Sequence, residues 1–144
     1  LLRAVGGLWP WGSGTINIPP KSDMMFLPQK PYIPLGTLRD AIVYPHGGKT
    51  WNSEEIQSIL MQVNLEAFIP LLNEVARWDE HMSLGQQQRL AFARLLLHKP
   101  KWVFLDEATS ALDDNNQERM MSFFMNELSQ SAVLSVGHRA GLEA

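Results

Sequence analysis

The stretch Trp102–Asp113 reads WVFLDEATSALD, and its reading decides the fold. An apolar run, Trp102 to Leu105, ends on two adjacent acids, Asp106 and Glu107. A short, non-alternating apolar run suits a strand buried on both faces, as in a parallel sheet. Ligands of such sheets bind beyond the carboxyl ends of the strands, where these two carboxylates would stand. A lone Asp-Glu pair would be read more simply as a loop acid and a helix cap.

The flanks build the same pattern. A helix is predicted from about Ser83 to His98, stopped by Pro100. Another is predicted from about Asp114 to Leu128, burying Met121, Phe124, Met125 and Leu128 at helical spacing. AVLSVGH, at 132–138, reads as a further strand. Upstream, Met24–Leu27 is an apolar run closed by PQKP, whose prolines enforce an extended loop. Thr15–Ile18 is a shorter strand candidate, and Leu1–Leu8 reads as the tail of a helix ended by Gly6, Gly7 and Pro10. Asn52 or Ser53 caps a helix with Glu54 and Glu55 in its first turn, where the helix dipole favours acids. Ile56, Ile59, Leu60 and Val63 share one face of it. Strands separated by helices predict an α/β fold with a parallel sheet. Residues 46–98, mostly helical, read as a subdomain inserted between core segments 1–45 and 99–144.

Composition sets limits. The chain has 144 residues and 45% hydrophobic content, enough for one cored domain. Its net charge is −3 and its pI about 5.8, so no basic surface advertises nucleic-acid binding. It has no cysteine, which excludes disulfides and Cys-ligated zinc. No apolar run approaches the roughly 18–20 residues of a membrane helix, and no signal peptide is visible. The first residue is not Met, no cap opens the first helical pattern, and HRAGLEA follows the last strand abruptly. The chain therefore reads as cut from a longer protein.

DEATSALD stands downstream of SLGQQQR (83–89) and upstream of SVGHR (135–139), a combination that the simple reading does not account for. FLDEATSALD resembles the Walker B strand, catalytic glutamate and D-loop of ATP-binding cassette (ABC) ATPases. MSLGQQQRLAFARLLL resembles their signature motif and its helix, FLPQKPYI their Q-loop, and SVGHR their switch-histidine loop. The order and spacing match the family over nearly the whole chain. GLWPWGSGTI and PQKPYIPLGTLRDAIVYP further resemble the subgroup of peroxisomal fatty-acyl transporters and their bacterial relatives.

The resemblance implies a partial P-loop NTPase-type sheet core with an inserted helical subdomain, ATP and Mg²⁺ as ligands, and ATP hydrolysis coupled to transport. Phosphoryl transfer asks the protein for positioning and charge neutralisation. By resemblance, Asp106 holds Mg²⁺ mostly through water and Glu107 is general base or water orienter, so one carboxylate serves the metal and the other the water. Gln29 reaches Mg²⁺ and water, and His138 the γ-phosphate. Ser83, Leu84, Gly85 and Gln86 face the ATP of a second subunit, while Ser110 and Asp113 belong to the D-loop. The family usually has Gly at the position of Leu84 and Leu at that of Met82; Ser83 and Gly85, the anion-facing pair, are in place. Ser83 and Gln86 also fit a capping box, and a capped helix N-terminus suits an anion too.

GGKT (47–50) imitates the end of a P-loop, but the required earlier Gly is Val43, and Tyr44, Pro45 and His46 replace the apolar strand. LLRA resembles the helix following the P-loop lysine, which places that loop and the adenine-stacking aromatic before Leu1. The implied partners are a second nucleotide-binding domain and a membrane-spanning domain fused upstream, with no nucleic acid. The implied location is the cytoplasmic face of a membrane, in the bacterial case the inner one. The alternatives are a soluble ABC-type ATPase of DNA repair or translation, and a non-catalytic ATP-dependent interaction module. Repair members carry a long coiled coil between Q-loop and signature, and Gln29–Ser83 shows no sustained heptads. Intact Glu107 and His138 weigh against the second.

Overall fold

The computed structural model describes residues 2–137. Its order is α1 (Leu2–Val5), β1 (Met24–Leu27), β2 (Gly36–Thr37), α2 (Leu38–Val43), α3 (Ser53–Gln62), β3 (Val75–Ala76), α4 (Trp78–His81), α5 (Leu84–His98), β4 (Trp102–Asp106), α6 (Asp114–Ser122) and β5 (Ala132–Val136), with short 3₁₀ turns between. The fold is α/β: β1, β4 and β5 form a parallel sheet in that spatial order. Leu27 pairs with Leu105, and Asp106 with Val136. β4 is therefore central, which explains its apolar run: Val103, Phe104 and Leu105 are buried. Phe26 and Phe104 stack across the β1–β4 pair at 4.5 Å.

α5 is the spine of the helical part. Leu90, Phe92, Ala93 and Leu95 are fully buried, and its face packs against α2 and α3. Burying a Leu or Phe side chain contributes about 1.5–3 kcal/mol, so this helix supplies much of the core. Capping boxes open three helices, from Thr37, Asn52 and Ser83. Each satisfies two backbone donors that would otherwise face the helix start unpaired. Asn52, not Ser53, is the cap of α3, and Ile56, Leu60 and Val63 are buried on its inner face.

The structure corrects three expectations and adds one strand pairing. Thr15–Ile18 is not a strand. The first helical stretch, predicted to Leu8, ends at Val5, directly before Gly6 and Gly7, the latter with a φ of 75°. β2 and β3 pair antiparallel, a contact that Gly36-Thr37 and Val75-Ala76 are too short to announce. The helix predicted to Leu128 ends at Ser122 and tightens into a 3₁₀ turn over Phe123–Met125. Leu128 is buried as expected and Met121 and Phe124 are partly buried, but Met120 and Phe123 join the core and Met125 is 81% exposed.

Candidate functional site at the sheet's carboxyl edge

Register brings the first group together. Gln29 lies two residues beyond Leu27 and Glu107 two beyond Leu105, and Leu27 and Leu105 are paired. Both therefore leave the sheet at one level, beside Asp106, which is exposed at the end of β4. A cleft of about 410 Å³ opens there, lined by Leu2, Arg3, Ala4, Trp9, Asp106 and Val136. Glu107 adopts φ 51°, the left-handed region, and its N–H donates to the Val136 carbonyl at 2.8 Å. A non-glycine residue there costs of order 1–3 kcal/mol, and such strain concentrates at functional sites.

The second group is the start of α5. Ser83 Oγ accepts from the Gln86 N–H at 3.2 Å, and the Ser83 N–H donates to Gln86 Oε1 at 2.9 Å. Gly85 has a separate, intrachain reason to lack a side chain: a Cβ there would lie 2.8 Å from the Ala111 carbonyl oxygen. The segment after Glu107 thus rests on the first turn of α5. Leu84 stands next to Gly85 and is exposed. Asp113 caps α6, accepting from the Asn116 N–H at 2.8 Å. The Asn116 backbone and side-chain donors hold the Asp113 carboxyl below the usual carboxylate range. His138 lies outside the described residues.

A residue that sequence reasoning missed joins the two groups. Gln88, with no exposed surface, donates from Nε2 to the Gln29 carbonyl at 2.8 Å, the Ser110 hydroxyl at 3.2 Å and the Glu107 carbonyl at 3.4 Å. Its Oε1 accepts from the Ala111 N–H at 3.0 Å. The available signal was a glutamine on the same helical face as Ala91 and Leu95, since a buried amide must find partners. Arg94, also missed, donates from Nε and Nη2 to the Ala41 carbonyl (2.9 and 2.7 Å) and from Nη1 to that of Tyr32 (2.9 Å). It lies 5.1 Å from the centre of the Tyr44 ring, and burial lowers its pKa to about 10. It ties the segment after Gln29 to α5.

GGKT does not form a phosphate cradle. The helix after it begins only at Ser53, and Lys49 Nζ donates to the His98 carbonyl at 3.4 Å. His98 precedes β4, so Lys49 serves the end of the sheet opposite Asp106. Among the described residues no three His, Cys, Asp or Glu side chains gather as a metal cage. The acids at the edge still fit Mg²⁺, which takes one or two carboxylates and completes its shell with water and phosphate oxygens.

An α/β sheet with acids at its carboxyl edge and a capped helix start beside it fits a P-loop NTPase-type domain. The comparisons give the family: the model described as ABC transporter matches residues 1–110, and the chain belongs to that family of ATP-binding domains. An ABC transporter ATP-binding protein of Haemophilus influenzae is 43% identical over 143 residues, 99% of this chain and 24% of that protein. ABC transporter D family member 3 of Dictyostelium discoideum is 38% identical over 154 residues, 99% of this chain and 20% of that protein. The inner membrane ABC transporter ATP-binding protein YddA of Escherichia coli is 34% identical over 146 residues, 99% of this chain and 25% of that protein. The chain spans about a quarter or less of the length of these relatives. Among its described residues no helix is long and apolar enough to cross a membrane.

Proposed function

We propose that this chain is part of a domain that hydrolyses ATP to drive transport across a membrane, inactive without the P-loop that the family resemblance places before Leu1, and working with a second nucleotide-binding domain and with a membrane-spanning domain fused to it. The observation that carries the reading is the level grouping of Gln29, Asp106 and Glu107 at the carboxyl edge of a parallel sheet. Asp106 would hold Mg²⁺, and Gln29 would offer its amide to the same metal and to the attacking water. Mg²⁺ when bound neutralises charge on the terminal phosphate oxygens. Glu107, held in its turn by Val136, accepts a proton from the attacking water or orients it. By the family resemblance, His138 would hydrogen-bond the γ-phosphate.

Ser83, Leu84, Gly85 and Gln86 present the start of α5 to the ATP of the partner domain, where backbone N–H groups and the helix dipole favour an anion. Ser110 and Asp113 lie on the loop between the two groups. The name of the Escherichia coli relative, an inner membrane ABC transporter ATP-binding protein, supports a domain working on the cytoplasmic face of a membrane, in a bacterium the inner one. A DNA-repair ATPase is disfavoured, because no helix between Gln29 and Ser83 exceeds the 10 residues of α3.

Glu107→Gln in the intact protein tests the reading. It keeps the shape and removes the base, so turnover should fall by about 10²- to 10⁴-fold while ATP binding persists. Turnover at the wild-type rate would reduce Glu107 to a helix-start acid and end the proposal.

A further inference from the structure

We propose that Gln88 is a positioning residue for hydrolysis, one amide that sets the relative placement of the Gln29 loop, the Glu107 turn and the loop through Ser110 and Ala111. The inference rests on the reading of Glu107 and Gln29 as hydrolytic residues.

The geometry argues for more than packing. Gln88 sits in the first turns of α5, three residues after Gly85, so both face the same residue, Ala111. The Ala111 carbonyl approaches Gly85, and the Ala111 N–H donates to Gln88 Oε1 at 3.0 Å. That loop is gripped on both sides by one helix. The same side chain holds Gln29 and Glu107 by their carbonyl oxygens, at 2.8 and 3.4 Å. Both of those residues follow strand ends, Glu107 with its N–H still bonded to β5 at Val136. Glu107 is also in a sparsely populated backbone region, which persists only when its surroundings over-determine it. Val136 holds its N–H and Gln88 its carbonyl. A fully buried amide with partners at four positions far away in sequence fixes a geometry rather than merely filling space. It also links the start of α5 mechanically to the water-activating carboxylate.

The test uses the intact protein, with kcat, KM for ATP and thermal midpoint measured for each variant. Gln88→Met keeps the length and removes every hydrogen bond. Misplacing a reacting group by about 1 Å costs on the order of 10²-fold, so kcat should fall about 10- to 100-fold with KM nearly unchanged. Gln88→Glu keeps the acceptor for Ala111 but turns a carboxylate on the Gln29 and Glu107 carbonyls. Its activity relative to wild type should recover as pH falls, because a protonated carboxyl regains an O–H donor. A role in stability alone would lower the thermal midpoint and leave kcat and its pH profile unchanged; that result overturns the proposal. Should Gln88→Met fail to fold, the pH profile of Gln88→Glu and the kcat of Ser110→Ala decide. Wild-type values in both would overturn it, and a several-fold loss in Ser110→Ala at constant KM would support it. Glu107→Gln runs in parallel. If it retains turnover, both readings fall; if it loses turnover while the Gln88 variants keep theirs, only this one does.

Discussion

Gly85→Ala separates two accounts of the start of α5. Helix propensity alone makes the substitution stabilising, since alanine is favoured over glycine by about 1 kcal/mol in a helix interior. The structure reverses that sign. The new Cβ would lie 2.8 Å from the Ala111 oxygen, about 0.6 Å short of the 3.4 Å at which ordinary contact begins. The obstacle is backbone, and the N–H of the same residue is held by Gln88, so it cannot swing aside as a flexible side chain would. Overpacking of this kind costs about 1–3 kcal/mol. Set against the propensity gain, a net destabilisation of about 1 kcal/mol is expected. Urea unfolding of the ATP-binding domain, followed by tryptophan fluorescence, should show a lower midpoint at unchanged slope, the sign of a stability change without a change in compactness. A displaced Ala111 also strains the hydrogen bond to Gln88, so ATP turnover should fall on the order of 10-fold. A variant more stable than wild type would refute the close approach. Unchanged stability combined with lost ATP-dependent association would assign Gly85 to the partner's nucleotide alone.

Two further outcomes follow from Arg94 and His98, the basic side chains on the inner side of α5. Arg94→Lys keeps the charge but not the fork, so one of the Ala41 and Tyr32 carbonyls loses its donor. A buried acceptor left unpaired costs about 1–3 kcal/mol, read as a matching fall in unfolding free energy; an unchanged midpoint would show that water reaches both carbonyls. Burial pushes the His98 imidazole below its ordinary pKa, and its Nε2 lies 2.9 Å from the Val43 carbonyl. The folded state therefore binds fewer protons, and stability present above about pH 6.5 is lost as pH falls through the lowered folded value. An NMR titration of the ring should give a midpoint below about 6.5; one at or above that value would contradict its burial.

The glutamine run of α5 shows what was legible in the sequence and what was not. Gln86, Gln87 and Gln88 are one residue type in succession, and about 100° of helical rotation separates each from the next. Gln86 closes a capping box with Ser83, an interaction within three residues whose pattern is local, so sequence alone foresaw it. Apolar runs are local as well, and β1, β4 and β5 were recognised for that reason. Gln87 donates to the Asp79 and Met82 carbonyls at 2.8 and 2.9 Å, fastening α4 to α5; those partners lie within eight residues but outside any repeating pattern. Gln88 meets Gln29 across 59 positions and the Glu107–Ala111 segment across about twenty. Such partners exist only once β1 and β4 are paired and α5 is packed beside them. The same holds for Gly85, where the sequence offered an anion-facing glycine and the fold adds a second, intrachain demand for the missing side chain. Site residues at strand ends could be read because a strand declares where it stops. The side chain that holds those ends together could not, because its meaning lies in the tertiary contact.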